Sequence, residues 1–194
     1  MPEVEQQPIK LPRTSESESL LKIRHTASHI MAMAVQKLFP KAQVTIGPWT
    51  ETGFYYDFDS PDPFTDKDLK QIRKEMIKII NRRLPIIREE VSREEAKARI
   101  EAQNEPYKLE ILDGIQEPIT IYHIEEQWWD LCAGPHLEST AEINPKAIAL
   151  ESVAGAYWRG DETKAQLAEK ESALTQLENQ LKEKQSEVDT AAGN

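Results

Sequence analysis

Between Ser15 and Pro40 the apolar residues repeat at helical spacing. Leu20, Ile23, Ala27, Ile30, Met31, Ala34 and Leu38 gather on one side of a helical wheel. Ser15, Ser17 and Ser19 offer N-caps, and Pro40 stops the helix after Phe39. A helix with so broad an apolar stripe needs a second layer to bury it. The rest of the chain supplies short strands and further helices. Residues 44–46 and 54–58 suit strands separated by the turns at Gly47-Pro48 and Thr52-Gly53. Thr65 and Asp68 form a capping pattern, and Leu69, Ile72, Met76, Ile79 and Ile80 continue as a helix toward Pro85. Residues 86–91 suit a strand, and Ser92 with Glu95 starts a short helix. Residues 107–112 and 118–124 read as two strands of a hairpin around Asp113-Gly114, and 147–153 as a last strand. The expected class is α+β: a mixed sheet of short strands packed with helices.

Residues 1–14 carry Pro2, Pro8 and Pro12 without periodicity and read as a flexible lead-in. Residues 15–162 are long enough to bury a sizeable core. From residue 163 to 194 the pattern changes. Leu167, Leu174, Leu181 and Val188 recur every seven residues, while Lys170 and Lys184 interrupt the partner positions around Leu177. A C-terminal heptad helix is expected, with three uses open to it: a solvated single helix, a homo-oligomer seam, or a docking segment for another protein.

The formal net charge of −10 argues against indiscriminate nucleic-acid binding. The charge is uneven, however. Residues 66–99 hold eleven Lys/Arg against seven Asp/Glu, while 161–194 hold four Lys against eight Asp/Glu. Arg82, Arg83 and Arg88, with Arg93, Lys97 and Arg99, could contact a nucleic-acid backbone or form an ordinary solvated face. No apolar run reaches the roughly 18 residues of a membrane span, so no membrane span is expected. The first 24 residues show no secretory pattern. The single cysteine cannot form an internal disulfide. A cytoplasmic protein is expected.

Three of the four histidines and the only cysteine fall into two pairs. His25 and His29, four apart on the first helix, share a face with Lys22, Ala32 and Gln36, opposite the apolar stripe. They are expected in a cleft and not in the core. Thr26 excludes the zinc-protease motif, which needs Glu after the first His. Cys132 and His136 flank Gly134-Pro135, which forbids a continuous helix and predicts a tight loop. His123 lies in a predicted strand and reads as structural. The four groups His25, His29, Cys132 and His136 make a chemically sensible zinc set. With all four bound, a zinc site would be structural; with an exchangeable position it could be catalytic. Without metal the same groups could position and activate water.

Five segments carry a family resemblance: His25-Thr26-Ala27-Ser28-His29, Gly53-Phe54-Tyr55-Tyr56-Asp57, Tyr107-Lys108, Asp130-Leu131-Cys132-Ala133-Gly134-Pro135-His136 and Gly155-Ala156-Tyr157-Trp158-Arg159-Gly160-Asp161. Together they resemble the editing domain of bacterial-type threonyl-tRNA synthetase and, more distantly, that of alanyl-tRNA synthetase. The resemblance covers roughly residues 20–162, and Ile9-Lys10-Leu11-Pro12-Arg13-Thr14 is similar to the start of threonyl enzymes that lack the usual first domain. It assigns residues 15–162 as a tRNA editing domain. The heptad tail stands where those synthetases continue into their catalytic core. The resemblance therefore implies a free-standing editing protein that works in trans and does not charge tRNA.

The implied reaction is hydrolysis of the ester in threonine tRNA mischarged with serine. His25 would hold the ribose hydroxyl or the water, and Asp130 the substrate ammonium. His29, Cys132 and His136 would shape and polarise the pocket, with Gly134 in its loop. Tyr56 would contact the terminal adenosine or the amino acid. Lys108, alternating with apolar neighbours on a strand, would enter the cleft to activate water or stabilise negative charge. The resemblance points two ways on cofactors: alanyl-type relatives bind zinc through such a set, while threonyl-type sites require none. Implied partners are the mischarged tRNA(Thr) and a threonyl-tRNA synthetase. The alternative is a catalytically degenerate module that binds tRNA or a synthetase.

Overall fold

Ser17 starts the first long helix, its hydroxyl accepting the backbone N–H of Leu20 at 3.2 Å. This helix, α1, spans Glu18–Leu38. The computed structural model describes residues 12–126 and 128–156. Contacts divide the chain into two units, Met1–Val153 and Ala154–Asn194, and the fold that follows is that of the first. The heptad segment 163–194 and most of the motif at 155–161 lie outside the described residues.

The architecture is α+β. A short ladder joins β1 (Gln43–Val44) to β2 (Phe58–Asp59), antiparallel, with Val44 opposite Phe58. The capping box of Thr65 and Asp68 opens α2, Asp66–Asn81. Its residues Ile72, Met76, Ile79 and Ile80 pack on Ala27, Ile30 and Ala34 of α1 to form the main core, which Ile124, Leu137 and Ile148 complete. Each fully buried aliphatic side chain there contributes about 1.5–3 kcal/mol.

β3 (Ile86–Val91) leads to α3 (Arg93–Gln103), capped by the Ser92 hydroxyl and ended by Asn104 in the left-handed region at φ 55°. α4 (Pro106–Gly114) precedes β4 (Ile119–Ile124) and β5 (Trp129–Leu131). The sheet order is β3-β4-β5, antiparallel throughout, from Ile86↔Ile124 to Val91↔Ile119 and from Ile121↔Leu131 to His123↔Trp129. Ile119, Ile121 and Leu131 pack with Ala96 and Ile100 of α3 and Leu112 of α4, making a second core.

Three predicted elements differ. Residues 107–112 form most of α4, not a hairpin strand. Pro106 is favourable in a helix's first turn, and the two buried residues, Lys108 and Leu112, stand four apart, a helical relation. A six-residue run with mixed apolar and polar positions satisfies both periods. The strand expected at 54–58 contracts to β2 and a bridge between Trp49 and Phe54. The stretch 147–153 forms no strand. Pro145–Ala147 is a 3-10 turn, and Ile148 is anchored by packing in the main core and by its carbonyl, which accepts Arg73 Nε at 2.7 Å.

Candidate active site

α1 is covered on more than one side. Every residue from Arg24 to Ile30 is buried, including His25 and His29, which are 8% and 3% exposed. The expectation that the two histidines avoid the interior is therefore corrected. The apolar stripe faces α2, while the opposite face is roofed by the segment that leaves β5. That segment carries the second pair. Pairing between β4 and β5 continues past the strand: Cys132 N–H donates to Thr120 O at 3.1 Å, and the Thr120 hydroxyl donates to Cys132 O at 2.6 Å. The chain then turns at Gly134, where φ is +76° and an added Cβ would lie 2.3 Å from the Tyr122 hydroxyl. Only glycine suits both conditions.

The turn brings the loop onto α1. The Pro135 carbonyl lies 3.1 Å from His25 Nδ1. The Thr26 hydroxyl accepts Leu137 N–H at 3.1 Å and lies 3.2 Å from His136 Nδ1. Cys132 Sγ sits between two imidazoles, 3.4 Å from His25 Nε2 and 3.3 Å from His136 Nε2, and accepts Gly134 N–H at 3.3 Å. The rings of His25 and His136 stack at 4.1 Å, and His29 meets His25 edge-on at 5.2 Å. Ligand atoms from all four residues lie within 4.8 Å of one another.

A second cluster adjoins the first. The Tyr56 hydroxyl donates to Asp130 Oδ2 at 2.7 Å and accepts Lys108 Nζ at 3.0 Å. Lys108 Nζ also lies 2.5 Å from Asp130 Oδ1, an oxygen that no donor among the described residues addresses with hydrogen-bond geometry. His29 Nε2, 3.6 Å from Asp130 Oδ2, joins the two clusters. Tyr56 can occupy this position because Gly47 lies against its ring: a Cβ there would come within 2.1 Å of it. The Ser28 hydroxyl donates to the Gly47 carbonyl at 2.6 Å and ties that loop to α1.

Burial sets the charge states. Desolvation pushes His25, His29 and His136 below the ordinary imidazole range, so all three are neutral at pH 7. Burial and the Asp130 charge push the Cys132 thiol up to about 12. Burial, with Asp130 beside it, also raises Tyr56 well above the usual phenol range. Neutral imidazoles keep a lone pair each, which can accept a proton or ligate a metal. The donor chemistry fits zinc. His25 and His136 each turn Nε2 to the cluster while Nδ1 faces an oxygen, the arrangement that orients ligating imidazoles.

All the residues expected to act come together: His25, His29, Tyr56, Lys108, Asp130, Cys132 and His136, with Gly134 in the turn. Lys108 reaches the site from a helix, not from a strand. His123 is structural as expected, 2.7 Å from Glu89, which Arg99 also grips. The basic segment is largely engaged by its own acids: Arg82 forks onto Glu125, and Arg88 lies 3.4 Å from Glu90. Arg83 stands at a positive φ of 57°. Arg88 is also the cross-strand partner of Tyr122, whose ring packs on His136 at 4.5 Å. Sequence reasoning missed Thr26, Tyr122 and the buried Glu105. Thr26 stood inside the His pair, and its type served only to exclude a protease motif.

The model of the threonyl and alanyl tRNA synthetase second additional domain matches residues 119–168, which include Asp130, Cys132, Gly134 and His136. Over that span the chain is similar to this domain family. Threonine–tRNA ligase of Synechocystis sp. (strain ATCC 27184 / PCC 6803 / Kazusa) is 81% identical over 159 residues, 82% of this chain and 26% of the relative. The ligase of Thermosynechococcus vestitus is 75% identical over 167 residues, 86% of this chain and 28% of the relative. The ligase of Synechococcus sp. (strain CC9311) is 71% identical over 176 residues, 91% and 28% respectively. The chain thus spans about a quarter of the length of the curated relatives it matches. His25, His29, Tyr56 and Lys108 precede the matched span and meet it around Asp130 and the loop after β5. Among the described residues, no helix is long and apolar enough to cross a membrane.

Proposed function

We propose that this domain is an aminoacyl-tRNA deacylase that hydrolyses the seryl ester of mischarged threonine tRNA in trans. The observation that carries the reading is the junction of the His/Cys quartet with the Tyr56–Asp130–Lys108 cluster through His29. Water attacks the ester carbonyl; the C–O bond to the ribose breaks, and the ribose hydroxyl regains a proton. His25, neutral and anchored by the Pro135 carbonyl, holds the water or that hydroxyl through Nε2. Asp130 offers its remaining lone pairs to the substrate ammonium, and Lys108 supplies positive charge where the oxyanion develops. Tyr56 keeps the Asp130–Lys108 pair in register. Arg82, Arg83 and Arg88 remain candidates for the tRNA backbone, Arg88 being nearest the site through Tyr122. The partners would be tRNA(Thr) and a threonyl-tRNA synthetase, in the cytoplasm.

Serine differs from threonine by one methyl, worth about 1–3 kcal/mol in a pocket, too little for one binding step to secure fidelity. A pocket that admits serine and collides with threonine adds a second selection. The test is single-turnover hydrolysis of seryl-tRNA(Thr). His25→Ala and Lys108→Ala are expected to slow ester loss by about 100-fold or more while the far-UV spectrum is retained. Full activity in both folded variants would overturn the assignment.

A second reading rests on the four converging ligand atoms. When bound, zinc would be held by His25, His29, Cys132 and His136, and it would supply Lewis acidity or, with all four ligands closed, a structural staple. A stapled binding module would retain zinc stoichiometrically after purification and bind tRNA without hydrolysing the ester.

A further inference from the structure

Thr26 follows His25 on α1 and is fully buried. A helical threonine or serine can turn its hydroxyl back onto a carbonyl of the preceding turn. Ser28 does so, donating to His25 O at 2.8 Å. Thr26 does not. Its oxygen accepts Leu137 N–H at 3.1 Å, and among the described residues the hydroxyl hydrogen has a single acceptor, His136 Nδ1 at 3.2 Å. The residue thus spends its hydroxyl on the loop after β5 and not on its own helix.

The directions of the neighbouring bonds follow by elimination. A carbonyl only accepts, so His25 donates Nδ1–H to Pro135 O at 3.1 Å, and the neutral ring keeps its lone pair on Nε2. The Thr26 hydroxyl donates to His136 Nδ1, so the neutral His136 carries its proton on Nε2. That proton faces Cys132 Sγ at 3.3 Å, where the sulfur also accepts Gly134 N–H. Burial keeps the thiol protonated, and its hydrogen has the bare His25 Nε2 as partner at 3.4 Å. The bonds run one way: Thr26 to His136, His136 to Cys132, Cys132 to His25, His25 to Pro135. The other His136 tautomer makes a poorer set. The Thr26 hydrogen would lose its acceptor, and one thiol hydrogen would face two bare Nε2 atoms, leaving one of them against a sulfur lone pair. One bond fewer and one orphaned buried donor favour the first arrangement by about 10-fold or more.

We propose that Thr26 is a positioning residue of the site: its hydroxyl fixes the His136 tautomer and, through Cys132, holds the His25 imidazole at both of its nitrogens. The proposal rests on the deacylase reading, in which His25 Nε2 holds the water or the ribose hydroxyl, and deepens it. A thiol is a weak donor. An arriving O–H can therefore take its place on Nε2 while the Pro135 carbonyl keeps the other nitrogen fixed. Thr26 itself touches no substrate, since none of its surface is exposed.

The experiment uses the full chain with isotope-labelled histidine and long-range proton–nitrogen NMR correlation at pH 7, each ring being assigned through its backbone. His136 is expected to carry its proton on Nε2 and His25 on Nδ1. A proton on His136 Nδ1 would overturn the proposal. Two variants then separate positioning from packing. Thr26→Val keeps the shape and removes the hydroxyl, whereas Thr26→Ser keeps the hydroxyl and removes a methyl. In single-turnover hydrolysis of seryl-tRNA(Thr), Thr26→Ser is expected to stay within about 2-fold of the parent rate, and Thr26→Val to lose about 10-fold or more. The protein concentration giving half the maximal rate should not change in either. Packing alone requires the reverse order, an active valine variant and an impaired serine variant. That order, or the full rate in both, would overturn the proposal. Should Thr26→Val not fold, the parent tautomers and the rate of Thr26→Ser decide by the same criteria. If the parent hydrolyses no ester, the deacylase reading fails and the spectra decide. The His136 Nδ1 signal should then move in Thr26→Val and hold in Thr26→Ser, and a signal unmoved in Thr26→Val refutes the bond.

Discussion

Asp130→Asn changes one oxygen to an amide nitrogen without changing shape, yet it should be among the most damaging single substitutions in the domain. Asp130 is 3% exposed and sits 2.5 Å from Lys108 Nζ, itself on a residue 5% exposed. The substitution removes the only carboxylate paired with that ammonium among the described residues. An asparagine amide turned toward it would also set donor against donor. Breaking a buried ion pair from one side costs about 3–5 kcal/mol, because the remaining charge stays desolvated. The Tyr56 hydroxyl can still donate to the amide oxygen, so that bond does not add to the loss. If this account is right, the second charge is the source of the cost. Lys108→Met in the Asp130→Asn background should then recover about half or more of the lost stability, since a neutral pair carries no stranded charge. Urea unfolding of the four proteins at pH 7 gives the cycle directly. A cost below about 1 kcal/mol for Asp130→Asn, or simple additivity in the double variant, would refute the reasoning.

Gly134→Ala combines left-handed strain of about 1–2 kcal/mol with overpacking against Tyr122 of about 1–3 kcal/mol. Urea unfolding should show a loss of about 2–5 kcal/mol, and a loss below about 1 kcal/mol would mean that the loop yields freely. Acid should destabilise the fold. Below pH 6.5 the unfolded chain protonates His29 and His136, whereas burial keeps them neutral in the folded state. Glu105, raised by burial from 4.5 to about 7, works in the opposite sense between those values. Two histidines against one carboxylate leave about one net proton, or about 1.4 kcal/mol per pH unit between 6.5 and 4.5, and His25 adds to it. A urea midpoint that holds or rises from pH 6.5 to 5 contradicts this. Dialysis against a chelator should leave seryl-ester hydrolysis unchanged on the deacylase reading, in which His25 and Lys108 act through hydrogen bonds and charge; loss of activity restored by zinc would favour the metal-holding reading.

The long helices were legible because their signals are local and redundant. α1 has a Ser cap, an apolar stripe and a closing proline, and α2 has a capping box and a repeat. α4 was not, because residues 107–112 satisfy two periods and only the packing of Lys108 and Leu112 selects one. The two histidines on α1 were placed on a polar face by the wheel, which cannot know that a second segment covers that face. Their pairing with Cys132 and His136 was legible as chemistry from residue types alone. The link to Tyr56, Lys108 and Asp130 came through family resemblance, since four separate elements supply the two clusters and no spacing rule joins them. Thr26 and Tyr122 hold the loop in place through contacts between residues about 110 and 12 positions apart or more, which no local pattern encodes.

The central claim is that the joined clusters hydrolyse one ester and spare its near twin. Seryl- and threonyl-tRNA(Thr), each at saturating protein, should be followed for ester loss under single-turnover conditions. The account predicts that the seryl ester is lost at least about 10-fold faster than the threonyl ester, and far faster than without protein. Equal loss of the two esters, or no acceleration of the seryl form, would contradict it.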